Sequence, residues 1–125
     1  YSYIVIDNEA GMEHLSRRTT HKVDLLIIVS DPTVKGLLTA KRINELADEL
    51  RLEVDSRVLI INRVVATEGE ELKKMAEGFG IDVAGIVPQD EMIFKFDLEG
   101  KPVSELTEDS KAVRALYNIL GTLIP

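Results

Sequence analysis

Short apolar segments alternate with amphipathic helical segments along this chain, and this alternation constrains the fold more than any other feature. Residues 3–6, 25–29 and 58–61 are uninterrupted apolar runs of Val, Ile, Leu and Tyr, and residues 81–87 form a looser fourth run. Uninterrupted apolar runs are typical of strands that are covered on both faces. Because helical patterns separate the runs, the sequence predicts an α/β fold with a mostly parallel sheet flanked by helices.

Capping and turn residues predict where three of the helices begin and end. Asp31, which a proline follows, is the expected N-cap of the first helix. Thr67 begins the pattern of a capping box for the second helix, and Gly80 is its expected stop. The third helix is expected to begin near Thr107, and a shorter one is expected over residues 12–19.

The charge balance and the absence of cysteine exclude several classes of function. The chain has 125 residues, a length typical of one domain, with 15 Lys and Arg against 22 Asp and Glu. The net charge of −7 disfavours binding to nucleic acid or to an anionic membrane surface. No cysteine is available for a disulfide or for a thiolate-ligated metal. Since the apolar runs are too short to span a bilayer, we expect a cytoplasmic location.

Polar residues follow the predicted strands, at the edge where parallel α/β sheets bind their ligands. After the first run, Asp7 can hold a Mg²⁺ ion through its water shell, because Mg²⁺ keeps several waters and uses few carboxylates. Gly11 can bring its backbone N–H close to a phosphate, since no side chain intervenes. An equally open interpretation is that Asp7 caps a helix that begins near Gly11.

Two further clusters follow the later runs. The amide of Asn62 offers a donor and an acceptor that suit the edge of a purine base, and Arg63 can stack on the base or point to solvent. Pro88 fixes the backbone, so that it and the following Gln89 and Asp90 can line the other side of a base. Taken singly, these residues also fit a turn after a strand and a helix cap.

In their order along the chain, these clusters resemble motifs of one family. DNEAGMEHLSRRT at residues 7–19, Asn-Arg at residues 62–63 and GIVPQDE at residues 85–91 resemble the MinD/ParA group of deviant-Walker P-loop ATPases. Within that group, the first motif is most similar to the CooC-type accessory ATPases that insert nickel into carbon monoxide dehydrogenase. The resemblance covers nearly the whole chain, including FDLEGKPVSEL at residues 96–106.

The resemblance implies roles for the first cluster. Asp7 would be the Walker B acid that holds Mg²⁺ through water, and Gly11 would be the switch II glycine that senses the γ-phosphate. Glu9, Glu13 and His14 would lie in switch II, where the state of the nucleotide passes to the dimer partner.

The same resemblance implies the other ligands and the partners. Asn62 and Arg63 would meet the adenine, and Pro88, Gln89 and Asp90 would form a loop that closes over the base. The cofactors would be ATP or ADP with Mg²⁺, and a homodimer would carry Ni²⁺ to carbon monoxide dehydrogenase or a related nickel enzyme. Neither a nucleic acid nor a membrane is an expected partner.

Two family elements are absent from the sequence. No G-x-x-x-x-G-K-[ST] motif occurs in it, and without cysteine there is no C-x-C pair. We therefore expect residues 1–125 to be the C-terminal portion of a single ATPase domain that lacks its N-terminal P-loop half. Such a chain is not expected to hydrolyse ATP by itself, because phosphate positioning supplies most of that catalysis. An uncovered sheet edge also leads us to expect self-association.

Three alternatives remain beside nickel insertion. A MinD/ParA-type positioning ATPase would have the same motifs, but its basic membrane helix is not evident here, since no Lys or Arg follows Arg114. A phosphoacceptor receiver domain needs an Asp where the third run ends, and Asn62 stands there. A non-catalytic α/β interaction module is the third alternative.

Overall fold

The fold is a three-stranded parallel sheet with helices on both faces, seen in a computed structural model that describes residues 3–7, 22–50, 52–65 and 67–124. The predicted α/β fold with a parallel sheet is therefore confirmed. The strands are β1 (Lys22–Ser30), β2 (Glu53–Val64) and β3 (Val83–Pro88), in the order β1-β2-β3. The helices are α1 (Val34–Glu49), α2 (Gly69–Gly78), α3 (Glu91–Glu99) and α4 (Lys111–Leu123), with a 3₁₀ turn at Val103–Glu105.

The strands pair in chain order, and a helix connects each pair. β1 and β2 run parallel with Lys22 opposite Glu53 and Ser30 opposite Ile61. Parallel neighbours need a crossover connection, which α1 supplies between β1 and β2 and α2 supplies between β2 and β3. Among the helices of the described residues, none is long and apolar enough to cross a membrane.

Alternate residues of the strands face two separate apolar cores. One core lies between the sheet and the helices α1 and α2, and its buried members are Ile28, Leu37, Ala40, Leu59, Ile61, Val64, Leu72, Ala76 and Ile81. The other lies between the sheet and α4, and its buried members are Ile60, Val87, Ala112 and Ile119. Successive side chains of a strand point to opposite faces, so the uninterrupted apolar runs of β1 and β2 supply both cores.

One predicted strand does not form. Residues 3–7 have no regular secondary structure, and Ile4 and Val5 are 86% and 88% exposed. The prediction of a strand at residues 3–6 was therefore wrong. An apolar, β-branched run favours a strand only when a neighbouring strand takes up its backbone hydrogen bonds, and this segment has no place in the β1-β2-β3 sheet.

The helix starts also differ from the predictions. Thr33, not Asp31, caps α1, since its hydroxyl oxygen accepts the N–H of Gly36 at 2.9 Å. At α2 the N-cap is Glu68 without a side-chain cap bond, so the predicted capping box does not form. The third predicted helix begins at Lys111 after a Ser110 cap, four residues after the expected start near Thr107, and α3 was foreseen only through the open alternative of a helix cap at residues 88–90. The helix predicted for residues 12–19 lies outside the described residues.

Candidate functional site

The carboxyl ends of the three parallel strands bring several of the candidate residues to one edge of the sheet. β1 ends at Ser30, β2 ends at Val64, and β3 ends at Pro88. The predicted residues Asn62 and Arg63 lie just before the end of β2, and Gln89 follows β3 directly. Because this is the edge where open α/β sheets bind ligands, its geometry decides what the chain can bind.

A β-bulge interrupts β2 at this edge. Ile61 lies opposite Ile86 and Val64 lies opposite Pro88, so Asn62 and Arg63 together face a single residue of β3. Ile61 and Val64 both contribute to the core under α1 and α2, because the extra residue shifts the alternation of side chains. Bulges are frequent beside functional sites, where they change the direction of a side chain.

The backbone of Arg63 is strained at the bulge. Its φ is 57°, the one positive φ of a non-glycine residue within the described ranges. The side-chain oxygen of Asn62 accepts the backbone N–H of Arg63 at 2.9 Å and so supports this conformation. Asn and Asp tolerate the left-handed region, but an arginine there is unusual and points to a functional constraint.

The side chain of Arg63 crosses from β2 to the end of β1. Its Nη2 donates to Oδ1 of Asp31 at 2.5 Å, and the two side chains are 64% and 58% exposed. An exposed ion pair contributes little to folding stability. Its effect is local: it fixes where the guanidinium lies.

An open pocket of about 290 Å³ lies beside this ion pair. It is lined by Asp31, Pro32, Thr33, Arg63, Val65 and Gln89. Its walls combine apolar groups with a few polar ones, as is usual for sites that bind small molecules. A backbone bond from the N–H of Gln89 to the carbonyl of Val64, at 3.0 Å, ties the two walls together.

Of the predicted binding residues that the structure describes, Arg63 and Gln89 line the pocket. Asn62 is the neighbour of Arg63 in sequence and supports the bulge. Pro88 is the last residue of β3 and directly precedes Gln89. Val65 and residues 31–33 also line the pocket, although they were not among the predicted ligand-binding residues. Their position directly after β1 and β2 was the available signal, because any residue there reaches the same sheet edge.

Asp90 points into the protein. One carboxylate oxygen caps α3 by accepting the N–H of Met92 at 2.9 Å, and the other accepts the hydroxyl of Ser110 and, at 3.1 Å, the N–H of Ala112. Burial acts to raise the pKa of Asp90, but these hydrogen bonds and the charge of Lys111 outweigh it and hold that pKa below its ordinary value. The carboxylate thus joins the N-termini of α3 and α4.

The residues implied to contact phosphate and magnesium are not part of this pocket. Asp7 is exposed in a segment without regular secondary structure, and it does not line the pocket. Gly11, Glu9, Glu13 and His14 lie outside the described residues. Among the residues that the structure describes, no group of three or more His, Cys, Asp or Glu side chains is placed to hold a metal ion.

The chain matches one family model and is similar to several known proteins. The family model described as 4Fe-4S iron sulfur cluster binding proteins, NifH/frxC family, matches residues 15–124. An uncharacterized ATP-binding protein of Methanocaldococcus jannaschii is 37% identical over 99% of this chain and 49% of its own length. The carbon monoxide dehydrogenase accessory protein CooC of Rhodospirillum rubrum is 33% identical over 83% of this chain and 38% of its own length.

A solved structure has the same fold. The MinD cell division protein of Aquifex aeolicus superposes with a TM-score of 0.61 at 24% identity, over 81% of this chain and 44% of that chain. The fold is therefore that of part of a MinD/ParA-type domain. The chain spans about half the length of the curated relatives it matches.

The iron–sulfur cluster in the family description does not fit the residues present. Cysteine thiolates hold such clusters, and this sequence contains no cysteine. The side chains of these 125 residues therefore supply no thiolate for a cluster.

Proposed function

We propose a function from one premise, which is that the chain belongs to the NifH/frxC family described as 4Fe-4S iron sulfur cluster binding proteins. On that premise, residues 1–125 are the C-terminal portion of one ATPase domain, and they bind the adenine end of ATP or ADP. The observation that carries the proposal is the β-bulge at the carboxyl edge of the sheet, which holds Arg63 at a positive φ beside an open pocket.

The chemistry of the pocket favours a flat ring with polar edges. Pro32 and Val65 offer apolar surface to the faces of a ring, and Thr33 and Gln89 carry groups that hydrogen-bond to its edge. A guanidinium stacks on aromatic planes, so Arg63 is suited to cover a base. Pro88 limits the motion of the backbone that leads to Gln89.

The remaining roles are proposed from the resemblance of the motifs. Asp7 would hold Mg²⁺ through water, Gly11 would contact the γ-phosphate, and Asn62 would hold the bulge and meet the base. Magnesium supplies the positive charge that phosphoryl transfer requires. Asp90 would not contact the base itself. It would fix the start of α3 and thereby the position of the segment that covers the base.

Delivery of nickel is the cellular role that we propose for the complete protein. The support is the CooC relative at 33% identity together with the motif DNEAGMEHLSRRT at residues 7–19. In this role a cytoplasmic homodimer would pass Ni²⁺ to carbon monoxide dehydrogenase or to a related nickel enzyme, and nucleotide state would control the transfer. Nickel is cargo in this scheme, and the described residues would bind the base of the nucleotide that controls its transfer.

A MinD-type positioning role is the second candidate, and the fold shared with the Aquifex MinD protein favours it. The two roles separate cleanly by experiment. A nickel-delivery protein should raise the activity of nickel-free carbon monoxide dehydrogenase when ATP and Ni²⁺ are added. A positioning ATPase should instead sediment with anionic liposomes in the presence of ATP and leave the dehydrogenase unchanged.

Base binding can be tested on this chain directly by following its amide resonances during titration with adenosine. We expect weak binding, with shifts that cluster at residues 62–65 and at Gln89. Asn62→Ala should weaken binding about fivefold, because it removes the hydrogen bond that supports the bulge, a bond worth about 1 kcal/mol. Asn118→Ala, the same change at an exposed position of α4, is the matched control and should bind as the unaltered chain does. Scattered shifts, or none, would contradict the proposal.

A further inference from the structure

The carboxylate of Asp31 does not cap α1, although the sequence predicted that it would. Thr33 caps α1, and Oδ1 of Asp31 accepts Nη2 of Arg63 instead. The backbone of Asp31 is itself held, since the hydroxyl of Ser30 donates to its carbonyl oxygen at 2.9 Å. Ser30 is buried, and a Cβ at Gly36 would lie 2.9 Å from its Oγ, so this part of the chain is tightly packed. The backbone that carries the carboxylate acceptor for Arg63 is therefore held in place by its neighbours.

The two charged side chains that line the pocket neutralise each other. Among the described residues that line it, Asp31 and Arg63 are the ones that carry a charge, and they form an ion pair with each other. A guanidinium that already has a carboxylate partner is a poor site for phosphate, but its flat face stays open for stacking. The pocket as a whole thus favours an uncharged aromatic ring over an anion.

We propose that Asp31 is a positioning residue that holds the guanidinium of Arg63 across the pocket and thereby selects the base of a nucleotide against its phosphates. The inference rests on the proposed nucleotide binding and adds a determinant of specificity to it. Asp31 acts through Arg63 and does not itself contact the base. Removing its charge should release Arg63 and leave an unpaired cation in the pocket.

The test measures binding of adenosine and of inorganic phosphate to the same set of variants. Asp31→Asn should bind adenosine about fivefold more weakly and phosphate about fivefold more tightly, because an exposed charge pair is worth a small multiple of the thermal energy. Asp31→Glu keeps the charge and should restore much of the preference for adenosine. In a chain that already carries Arg63→Gln, Asp31→Asn should change neither the adenosine affinity nor the phosphate affinity.

A matched control pair lies on the same protein. Asp48 accepts Nη2 of Arg57 at 2.6 Å, and neither residue lines the pocket. Asp48→Asn removes a comparable ion pair and should leave the ratio of adenosine to phosphate affinity unchanged. The Nε–H resonance of Arg63 gives an independent signature: it should broaden in Asp31→Asn and stay sharp in Asp48→Asn.

The outcomes separate this inference from the proposal beneath it. If the unaltered chain binds adenosine at the pocket and Asp31→Asn keeps the same preference, the role of Asp31 is wrong and nucleotide binding stands. If the unaltered chain binds no adenosine, both are wrong. Because Asp31 and Arg63 are both more than half exposed, we expect the variants to fold, and circular dichroism checks this.

Discussion

Two residues at the carboxyl edge of the sheet have a backbone conformation or a degree of burial that their residue types do not favour. Arg63 has a positive φ, and Asp90 is a carboxylate with little exposed surface. Each is stabilised by its neighbours: Asn62 accepts the N–H of Arg63, and Ser110 is among the donors to Asp90. For Arg63 we expect the usual order of stability between alanine and glycine to reverse. For Asp90 we expect the effect of substitution on stability to change with pH.

At position 63, glycine should be more stable than alanine. The left-handed region costs a residue with a Cβ about 1 kcal/mol or more, so Arg63→Gly should exceed Arg63→Ala in free energy of unfolding by about 1 kcal/mol. Arg42 in the interior of α1 is the control, and there alanine should be the more stable by about 1 kcal/mol. Urea unfolding of the four variants measures both differences. The same order at both positions would show that residue 63 does not adopt the strained conformation.

The contribution of Asp90 to stability should depend on pH. Its pKa in the folded protein lies below the ordinary value of 3.8, so the folded state favours the charged carboxylate. That stability is present above pH 3.8 and is lost as the pH falls through the lower, folded-state pKa. At neutral pH, Asp90→Asn should lower the free energy of unfolding by about 2 kcal/mol, the scale of hydrogen bonds to a charged group. Urea unfolding at several pH values should show the gap closing in acid, and a gap independent of pH would contradict this account.

At the scale of elements, the packing of α4 on β3 depends on a residue without a side chain. A Cβ added at Gly85 of β3 would lie 2.5 Å from Cγ1 and 2.6 Å from Cδ1 of Ile119. Helix and strand can approach this closely only because Gly85 leaves room. In contrast, α3 has no buried residue, and its Phe94 and Leu98 are exposed. The two helices therefore differ in what holds them in place.

Gly85→Ala should destabilise the chain by overpacking. We expect a loss of about 1–3 kcal/mol in free energy of unfolding, and we expect Ile119→Ala in the same chain to relieve the clash. The double variant should then lose less than the sum of the two single losses. Gly121→Ala is the control, because nothing lies near a Cβ there and alanine favours the helix, so it should gain about 0.5–1 kcal/mol. Additive losses would mean that α4 does not pack on Gly85.

At the scale of the whole molecule, the sheet has an exposed apolar margin. β1 is an outer strand of the β1-β2-β3 sheet, and Val29 near its end is 61% exposed. Outer strands with apolar side chains pair readily with other copies unless charged residues interrupt them. This is the physical basis for the expected self-association.

Association should therefore respond to a charge placed on β1. We expect sedimentation equilibrium of the unaltered chain to show a mass that rises with concentration, and Val29→Lys to shift it toward the monomer. Val34→Lys adds the same charge at an exposed valine of α1 and should associate as the unaltered chain does. A monomer at every concentration would contradict the expectation.

Much of the architecture could be read from the order of residues, and two exceptions show the limit. The central residues of β1, β2 and β3 coincide with apolar runs, and α1 and α2 coincide with apolar residues at helical spacing. Burial on one or two faces leaves such a pattern of apolar residues in the sequence. Residues 3–6 have the same composition and do not form a strand, since a strand is completed by its neighbour. In α3, Phe94 and Leu98 are exposed and Ile93 is only partly buried against the second core, so its apolar residues do not form one clear buried stripe.

The sequence by itself determined the class of fold, the edge of the sheet that carries the candidate site, and the presence of Arg63 and Gln89 there. Their identity as polar residues after buried strands was sufficient, because parallel strands end at a common edge. Only the tertiary structure decided that Arg63 crosses to Asp31, which is 32 residues earlier, and that Asp90 turns inward to Ser110. The physical reason is that the bulge and the helix termini depend on register and packing between distant segments, and local spacing does not record either.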